Sequence, residues 1–106
     1  MKWIDFNVPM LDLKGKPAKQ GTEEVKMKEL VGNLLSGATT PKASIRVYNM
    51  ALKIYNSVGE IEIEDNDFNT LEQVIENSST NNITKGQILG RIEDAKEESK
   101  KRNKSK

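Results

Sequence analysis

Residues 65–76, DNDFNTLEQVIE, carry oxygen-bearing side chains at the ligand spacing of a calcium-binding loop. The sixth position of such a loop needs a glycine for its sharp turn, and here it is Thr70. Phe68, Leu71 and Ile75 run through the same stretch at helical spacing, and one segment cannot both wrap an ion and continue a helix. We therefore predict a helix with an acidic first turn and no metal site. The loop positions one, three, five and twelve are filled by Asp65, Asp67, Asn69 and Glu76.

The sequence contains neither histidine nor cysteine, which removes most of the chemistry that small enzymes use. Zinc sites built on imidazole or thiolate, serine–histidine and cysteine–histidine nucleophile pairs, and disulfide bonds are all excluded. General acid–base catalysis would have to rely on carboxylate, lysine or tyrosine side chains, and no arrangement of these residues demands it. We predict a protein that is not an enzyme and that has neither catalytic residues nor a cofactor.

Charge is distributed unevenly along the 106 residues, although the formal net charge is only +1. Residues 100–106, KKRNKSK, carry five positive charges, whereas residues 1–99 contain 12 basic and 16 acidic residues and have a net charge of −4. Hydrophobic residues make up 35% of the chain, which is enough for one small core. We predict a single compact domain over residues 1–96 and a basic tail over residues 97–106, either a solvated helix or disordered.

Two short segments alternate apolar and polar side chains with the period of a β-strand. Residues 2–8, KWIDFNV, place Ile4, Phe6 and Val8 on one face, and residues 60–64, EIEIE, alternate strictly. Because a lone strand leaves its backbone groups unpaired, we predict that these two segments pair with each other.

Four stretches have the spacing of amphipathic helices. The first begins at Thr22, with Glu23 and Glu24 in its first turn, and ends at Gly37. The second opens at Thr40–Pro41 and is the most hydrophobic, so we predict that it is central. Its apolar residues form a main stripe facing the core and a second set that widens it: Ile45, Tyr48, Leu52 and Tyr55 for the stripe, and Val47, Ala51, Ile54 and Val58 for the second set.

The third helix begins near Asp65 or Asp67, one of which is its predicted cap. The last helix begins with a capping box of Thr84 and Gln87, flanked by hydrophobic residues at staple spacing. Together these elements predict an α+β fold, in which a small sheet made of the N-terminal arm and residues 60–64 is packed with about four short helices.

An acidic surface and a tryptophan are the candidates for protein binding. Trp3 lies on the polar face of its strand, where it would serve either as an exposed interface anchor or as packing over a helix end. The acidic residues near the second strand and the third helix would form a negative surface for a basic partner. The predicted protein-binding residues are Trp3, Glu60, Glu62, Glu64, Asp65, Asp67, Glu72 and Glu76.

The basic tail is the candidate for nucleic-acid contact. Clustered cations bind phosphates by releasing counterions. No aromatic residue is interleaved with them, so the tail has no platform for base stacking, and we predict weak binding at most. The residues concerned are Lys100, Lys101, Arg102, Lys104 and Lys106.

The order of these features resembles a family of small accessory proteins encoded by bacteriophages and prophages. The resemblance covers residues 2–95 and lies in an L-D-x-x-G-K-P-like turn at residues 11–17, a leucine-rich first helix, the helix segment ALKIYN at residues 51–56, the alternating residues 60–64, and the acid-started helix from Asp67. The basic tail is an addition to this pattern. The resemblance implies a non-enzymatic accessory protein that works in the cytoplasm of the bacterial host.

We therefore expect a protein-binding module that contacts a phage or host protein. It would act either as a virion assembly accessory, such as a head or tail chaperone, or as an inhibitor of a host or defence factor. The alternative is a nucleic-acid-binding accessory protein that uses the basic tail. No segment is long and apolar enough to span a bilayer, and Asp5 interrupts any signal-like apolar run, so we expect no membrane partner. Homo-oligomerisation remains open.

Overall fold

The computed structural model describes residues 1–20, 23–37 and 44–104; the predicted helix starts at Thr22 and Thr40–Pro41, and Lys106, lie outside these ranges. Within them the chain forms four helices and two two-stranded antiparallel sheets, which confirms the predicted α+β fold. The elements are β1 (Lys2–Ile4), β2 (Lys19–Gln20), β3 (Glu23–Glu24), α1 (Met27–Gly37), α2 (Ser44–Tyr55), β4 (Ile61–Ile63), α3 (Asp65–Asn77) and α4 (Asn82–Lys104).

The N-terminal strand β1 pairs with β4, as the alternating patterns predict. Both outer edges of this sheet are held by side chains. The backbone N–H of Trp3 donates to the Oγ of Ser99 on α4 (3.1 Å), and the Nζ of Lys53 on α2 donates to the carbonyl of Glu62. An added strand would have to displace these bonds, so they protect the edges. The register is Lys2 opposite Ile63, Trp3 opposite Glu62 and Ile4 opposite Ile61.

The first helix begins later in the chain than predicted. Glu23 and Glu24 form β3, which pairs with β2, so their predicted place in the first helical turn is wrong. The helix starts at Met27, whose N–H donates to the carbonyl of Val8 (2.8 Å), and the N–H of Lys28 donates to the carbonyl of Phe6 (2.9 Å). The extended N-terminal arm therefore satisfies the first helical N–H groups of α1.

The third helix is continuous from Asp65 to Asn77 and buries Phe68, Leu71 and Ile75. Its N-cap residue is Glu64, whose side chain makes no capping hydrogen bond. The predicted capping role of Asp65 or Asp67 is therefore wrong, because both lie inside the first turn, where acids favour the N-terminal end of the helix dipole.

The last helix also begins earlier than predicted. The side-chain Oδ1 of Asn81 accepts the N–H of Thr84 (2.9 Å), so Asn81 supplies the cap and the helix starts at Asn82. Gln87 makes its bonds elsewhere: its side-chain oxygen accepts the N–H of Leu11 (2.8 Å) and its nitrogen donates to the carbonyl of Leu11 (2.6 Å). The predicted capping box is wrong, because this long-range amide pair takes up the Gln87 side chain.

The core lies between the β1–β4 sheet and the four helices. The arm contributes Phe6 and Met10, and α4 contributes Ile88, Ile92 and Ala95. From α2, the buried side chains are Val47, Met50, Ala51 and Ile54. The predicted main stripe of α2 is instead exposed, and so is Val58 of the second set, so their assignment to the core is wrong, whereas that of Val47, Ala51 and Ile54 is confirmed.

α1 approaches α2 closely at Gly32. A Cβ built on Gly32 would lie 3.0 Å from the Cβ of Tyr55 and 3.4 Å from the carbonyl oxygen of Ala51. The missing side chain lets the α1 backbone pack against these two residues of α2. Tyr55, at one edge of the exposed stripe, is therefore partly covered by α1.

This close approach predicts opposite results for two glycine-to-alanine substitutions. Gly90→Ala in α4, where an added Cβ meets nothing within 4 Å, should stabilise the fold by about 0.5–1 kcal/mol, because alanine is the better helix former. Gly32→Ala gains the same propensity but overpacks against Tyr55, so we expect a net loss of about 1 kcal/mol. Urea unfolding of the two variants measures the difference, and equal stabilisation by both would contradict the close packing of α1 on α2.

Candidate protein-binding surface

The largest ordered set of exposed apolar side chains in the described residues runs along α2. We call Ile45, Tyr48, Leu52 and Tyr55 the α2 face; their side chains are exposed by 76%, 58%, 44% and 45%. At about 100° per residue, the four positions fall within about 80° of arc around the helix. The centre of the α2 face is turned about 130° from the centre of the buried set, so α2 has two apolar sides.

The α2 face itself carries no charged residue of α2, because the basic residues of the helix point to another side. Arg46 forms ion pairs with Asp67 (3.0 Å) and Glu64 (3.3 Å) across a groove of about 400 Å³ between α2, β4 and α3. Lys53 lines the same groove, where it holds the Glu62 carbonyl. The cations of α2 are therefore engaged by neighbouring acids and carbonyls of the same chain.

Other exposed apolar side chains among the described residues lie outside α2: Met1, Leu11, Leu13, Val58 and Ile83. Leu11 and Leu13 belong to the turn around Gly15, and the backbone of Leu11 bonds to Gln87, one turn after Ile83 on α4. Single exposed apolar residues are ordinary on a soluble fold. The α2 face differs because its four members share one helix side.

Most of the acids predicted to meet a basic partner are paired within the chain. Glu72 accepts from the Nζ of Lys96, and this bond, helped by Glu93, raises the pKa of the lysine. The N-terminal amine and Lys2 bond to Asp65 and lower the pKa of its carboxyl group. Glu64 and Asp67 share Arg46, as described above.

The carboxylates of Glu62 and Glu76 are exposed, and no hydrogen bond or ion pair to them is found within residues 1–20, 23–37 and 44–104. These two acids remain available to a partner, but they lie on different elements. The structure therefore brings Glu62, Glu64 and Asp67 together along the groove beside α2, but it does not gather all of the predicted acids into one site.

Trp3 and Glu60 come together with the last helix. Both oxygens of Glu60 accept from the guanidinium of Arg102 (2.7 Å each), and that guanidinium lies 5.2 Å from the centre of the Trp3 ring. The two charge-assisted bonds and the cation–π contact connect the β1–β4 sheet to the C-terminal part of α4. Of the two predicted roles for Trp3, packing beside a helix end describes its position.

The predicted tail is helical as far as the structure describes it. α4 continues unbroken to Lys104, and Ser99 is fully buried against the backbone of Trp3. Lys100, Lys101 and Lys104 are exposed, whereas Arg102 is bound to Glu60. At about 100° per residue, Lys100, Lys101 and Lys104 lie within about 100° of arc on one side of α4, whereas Arg102 lies on another side.

Sequence reasoning identified the residues of the α2 face but assigned them to the core, and it missed Ser99 altogether. For α2 the available signal was the width of its apolar stripe, which is more than one core contact of a helix covers. For Ser99, in the charged run EESKKR, the sequence carries no signal of burial.

Among the described residues, no three histidine, cysteine, aspartate or glutamate side chains are grouped so that they would hold a metal ion. In the same part of the chain, no helix is both long and apolar enough to cross a bilayer.

Comparisons with protein-family models, with curated proteins and with solved structures found no match. The resemblance to phage accessory proteins therefore stays a prediction.

The buried hydroxyl of Ser99 should be important for stability. Ser99→Ala removes the acceptor of the Trp3 N–H, which is a part-buried donor. Because removing one partner of such a bond costs stability, we expect the free energy of unfolding to fall by about 1–2 kcal/mol. Ser79→Ala, at an exposed position between α3 and α4, is the matched control and should change stability by less than about 0.5 kcal/mol. Thermal unfolding followed by circular dichroism compares the two, and equal effects would contradict the role of Ser99.

The Glu60–Arg102 pair should make stability depend on acid pH. The hydrogen bonds from Arg102 lower the pKa of the Glu60 carboxyl group from its ordinary value of 4.5. Because the pKa of Glu60 is lower in the folded state than in the unfolded state, its ionised carboxylate stabilises the fold at pH above the ordinary pKa. This stabilisation is lost as the pH falls through the folded-state pKa. Arg102→Gln should therefore lower Tm at neutral pH, and the difference in Tm between the natural protein and this variant should become smaller at acid pH.

The control for this measurement is Lys100→Gln, which removes an exposed positive charge two residues away. The difference in Tm between Lys100→Gln and the natural protein should stay the same from neutral to acid pH. If the difference in Tm for Arg102→Gln also stays constant from neutral to acid pH, the charge of Glu60 does not contribute to the stability of the fold.

Proposed function

We propose that this protein is a protein-binding module that docks the apolar stripe of a partner helix against the α2 face. The observation that carries the proposal is the exposure of Ile45, Tyr48, Leu52 and Tyr55 on one side of one helix. Leaving these side chains in water forgoes the free energy that their burial would contribute. A contact with another apolar surface recovers it.

The composition of the α2 face supports a protein partner. Tyrosine is enriched at the centres of interfaces, because its ring buries a large area and its hydroxyl stays compatible with water before binding. Charged residues are depleted from such centres, and the α2 face has none from α2 itself. Side chains spaced at i, i+3, i+7 and i+10 are the anchors that a helix presents to another helix or to a groove.

The predicted acidic binding surface receives less support. Glu60, Glu64, Asp67 and Glu72 each bond to a cation of their own chain, and a basic partner would have to replace those bonds. In the nucleic-acid alternative, Arg102 is likewise held by Glu60, whereas Lys100, Lys101 and Lys104 are exposed. Both roles suggested by the resemblance, virion assembly and binding of a host factor, can work through the α2 face, and both stay predictions.

Site-specific photo-crosslinking tests the proposal. A benzophenone amino acid placed at Tyr48 should give discrete covalent protein adducts in cells that make the protein, because a bound partner would cover that position. The same probe at Asn69, an exposed polar position in α3, is the matched control and should give none.

A second substitution ties the adducts to the α2 face. Adding Leu52→Glu should reduce their yield about tenfold or more, since it would put an unpaired charge into the contact. The Tm should change little, because Leu52 is already half in water. Absence of adducts at position 48, or equal adducts at position 69, would overturn the proposed function.

A further inference from the structure

We propose that the partner of the α2 face is a second copy of this chain, docked antiparallel so that α2 packs on α2 about a two-fold axis. This inference rests on the proposed function and names its partner. It is argued from two features of the α2 face: the symmetric spacing of its four exposed side chains and the absence of charged side chains of α2 from that side of the helix.

The spacing of the α2 face reads the same in both directions. The intervals from Ile45 to Tyr48, from Tyr48 to Leu52 and from Leu52 to Tyr55 are three, four and three residues. In an antiparallel pair centred on position 50, Tyr48 therefore meets Leu52 of the other copy, and Ile45 meets Tyr55. An isologous two-fold interface requires this property, because each residue must find its partner in the same patch of surface.

Charge also favours a second copy. A two-fold axis places like side chains on the same flank of the interface, so a charged face would repel itself. The α2 face is neutral, and Arg46 and Lys53 point into the groove beside α3 and β4, where acids and a carbonyl hold them. At the rim, Asn49 would lie beside Asn49 of the other copy, and an amide both donates and accepts hydrogen bonds.

The available area fits a weak dimer. Each exposed aromatic or aliphatic side chain of the α2 face offers on the order of 100 Å², so the four together offer on the order of 400 Å² per copy. Two copies would bury on the order of 800 Å² from these residues alone, and the rim adds to this. Stable interfaces begin above about 1,200 Å², so we expect a dimer that forms with rising concentration and dissociates on dilution.

Sedimentation velocity from low micromolar to near-millimolar concentration tests for the dimer. We expect the weight-average mass to rise from one chain toward two. Leu52→Glu should weaken dimerisation at least about tenfold, because two charges would meet apolar surface. Ile83→Glu is the matched control, since Ile83 on α4 is 45% exposed against 44% for Leu52, and it should leave the dimer unchanged.

Disulfide trapping tests the register, and the natural chain contains no cysteine that would interfere. Two differently tagged variants, Tyr48→Cys and Leu52→Cys, are mixed and oxidised. In the antiparallel register these two positions face each other with Cα atoms about 4–5 Å apart, within disulfide range. Each position is displaced from its own symmetry mate by about 6 Å along the helix, so the mixed species should dominate.

The outcomes separate this inference from the proposed function. A protein that stays monomeric at near-millimolar concentration, or disulfides that form mainly between identical positions, overturns the antiparallel dimer. If the photo-crosslinks at position 48 then join the chain to other proteins, the proposed function stands without a second copy. If position 48 gives no protein adducts at all, both fail.

Discussion

The close approach of α1 to α2 at Gly32 is the tightest steric constraint on this pair of helices among the glycine positions described. Because position 32 has no side chain, the backbone of α1 packs against Ala51 and Tyr55. An added side chain at this position would have to displace Tyr55. In this arrangement α2 buries Val47, Met50, Ala51 and Ile54, and its α2 face stays exposed with Tyr55 at the edge beside α1.

The second constraint is β1, because this strand contacts both β4 and the C-terminal part of α4. It pairs with β4 on one edge, and its Trp3 N–H bonds to Ser99 of α4 on the other. The guanidinium of Arg102 then lies over the Trp3 ring and binds Glu60. These contacts hold Trp3 and Glu60 within the fold, and ion pairs elsewhere hold Glu64, Asp65, Asp67 and Glu72.

Strong periodicity predicted parts of the fold correctly, even where the partners, such as Lys2 and Ile63, are far apart in sequence. The alternating residues of β1 and β4, and the apolar spacing of α3, led to the correct elements and to their pairing. The predictions that failed depend on contacts distant in sequence: Gln87 bonds to Leu11, and the start of α1 bonds to Phe6 and Val8. For α2, periodicity predicted one wide apolar stripe, of which the structure buries Val47, Ala51 and Ile54 and exposes the rest.

Methyl NMR over a range of protein concentrations is the sharpest test that two copies of this chain meet through the α2 face. As the concentration rises, we expect progressive chemical-shift changes for the methyl groups of Ile45 and Leu52. The methyl groups of Val58 and Ile83, which are exposed outside the α2 face, should stay unchanged. Unchanged shifts for Ile45 and Leu52, or equal changes at all four residues, would contradict self-association through the α2 face.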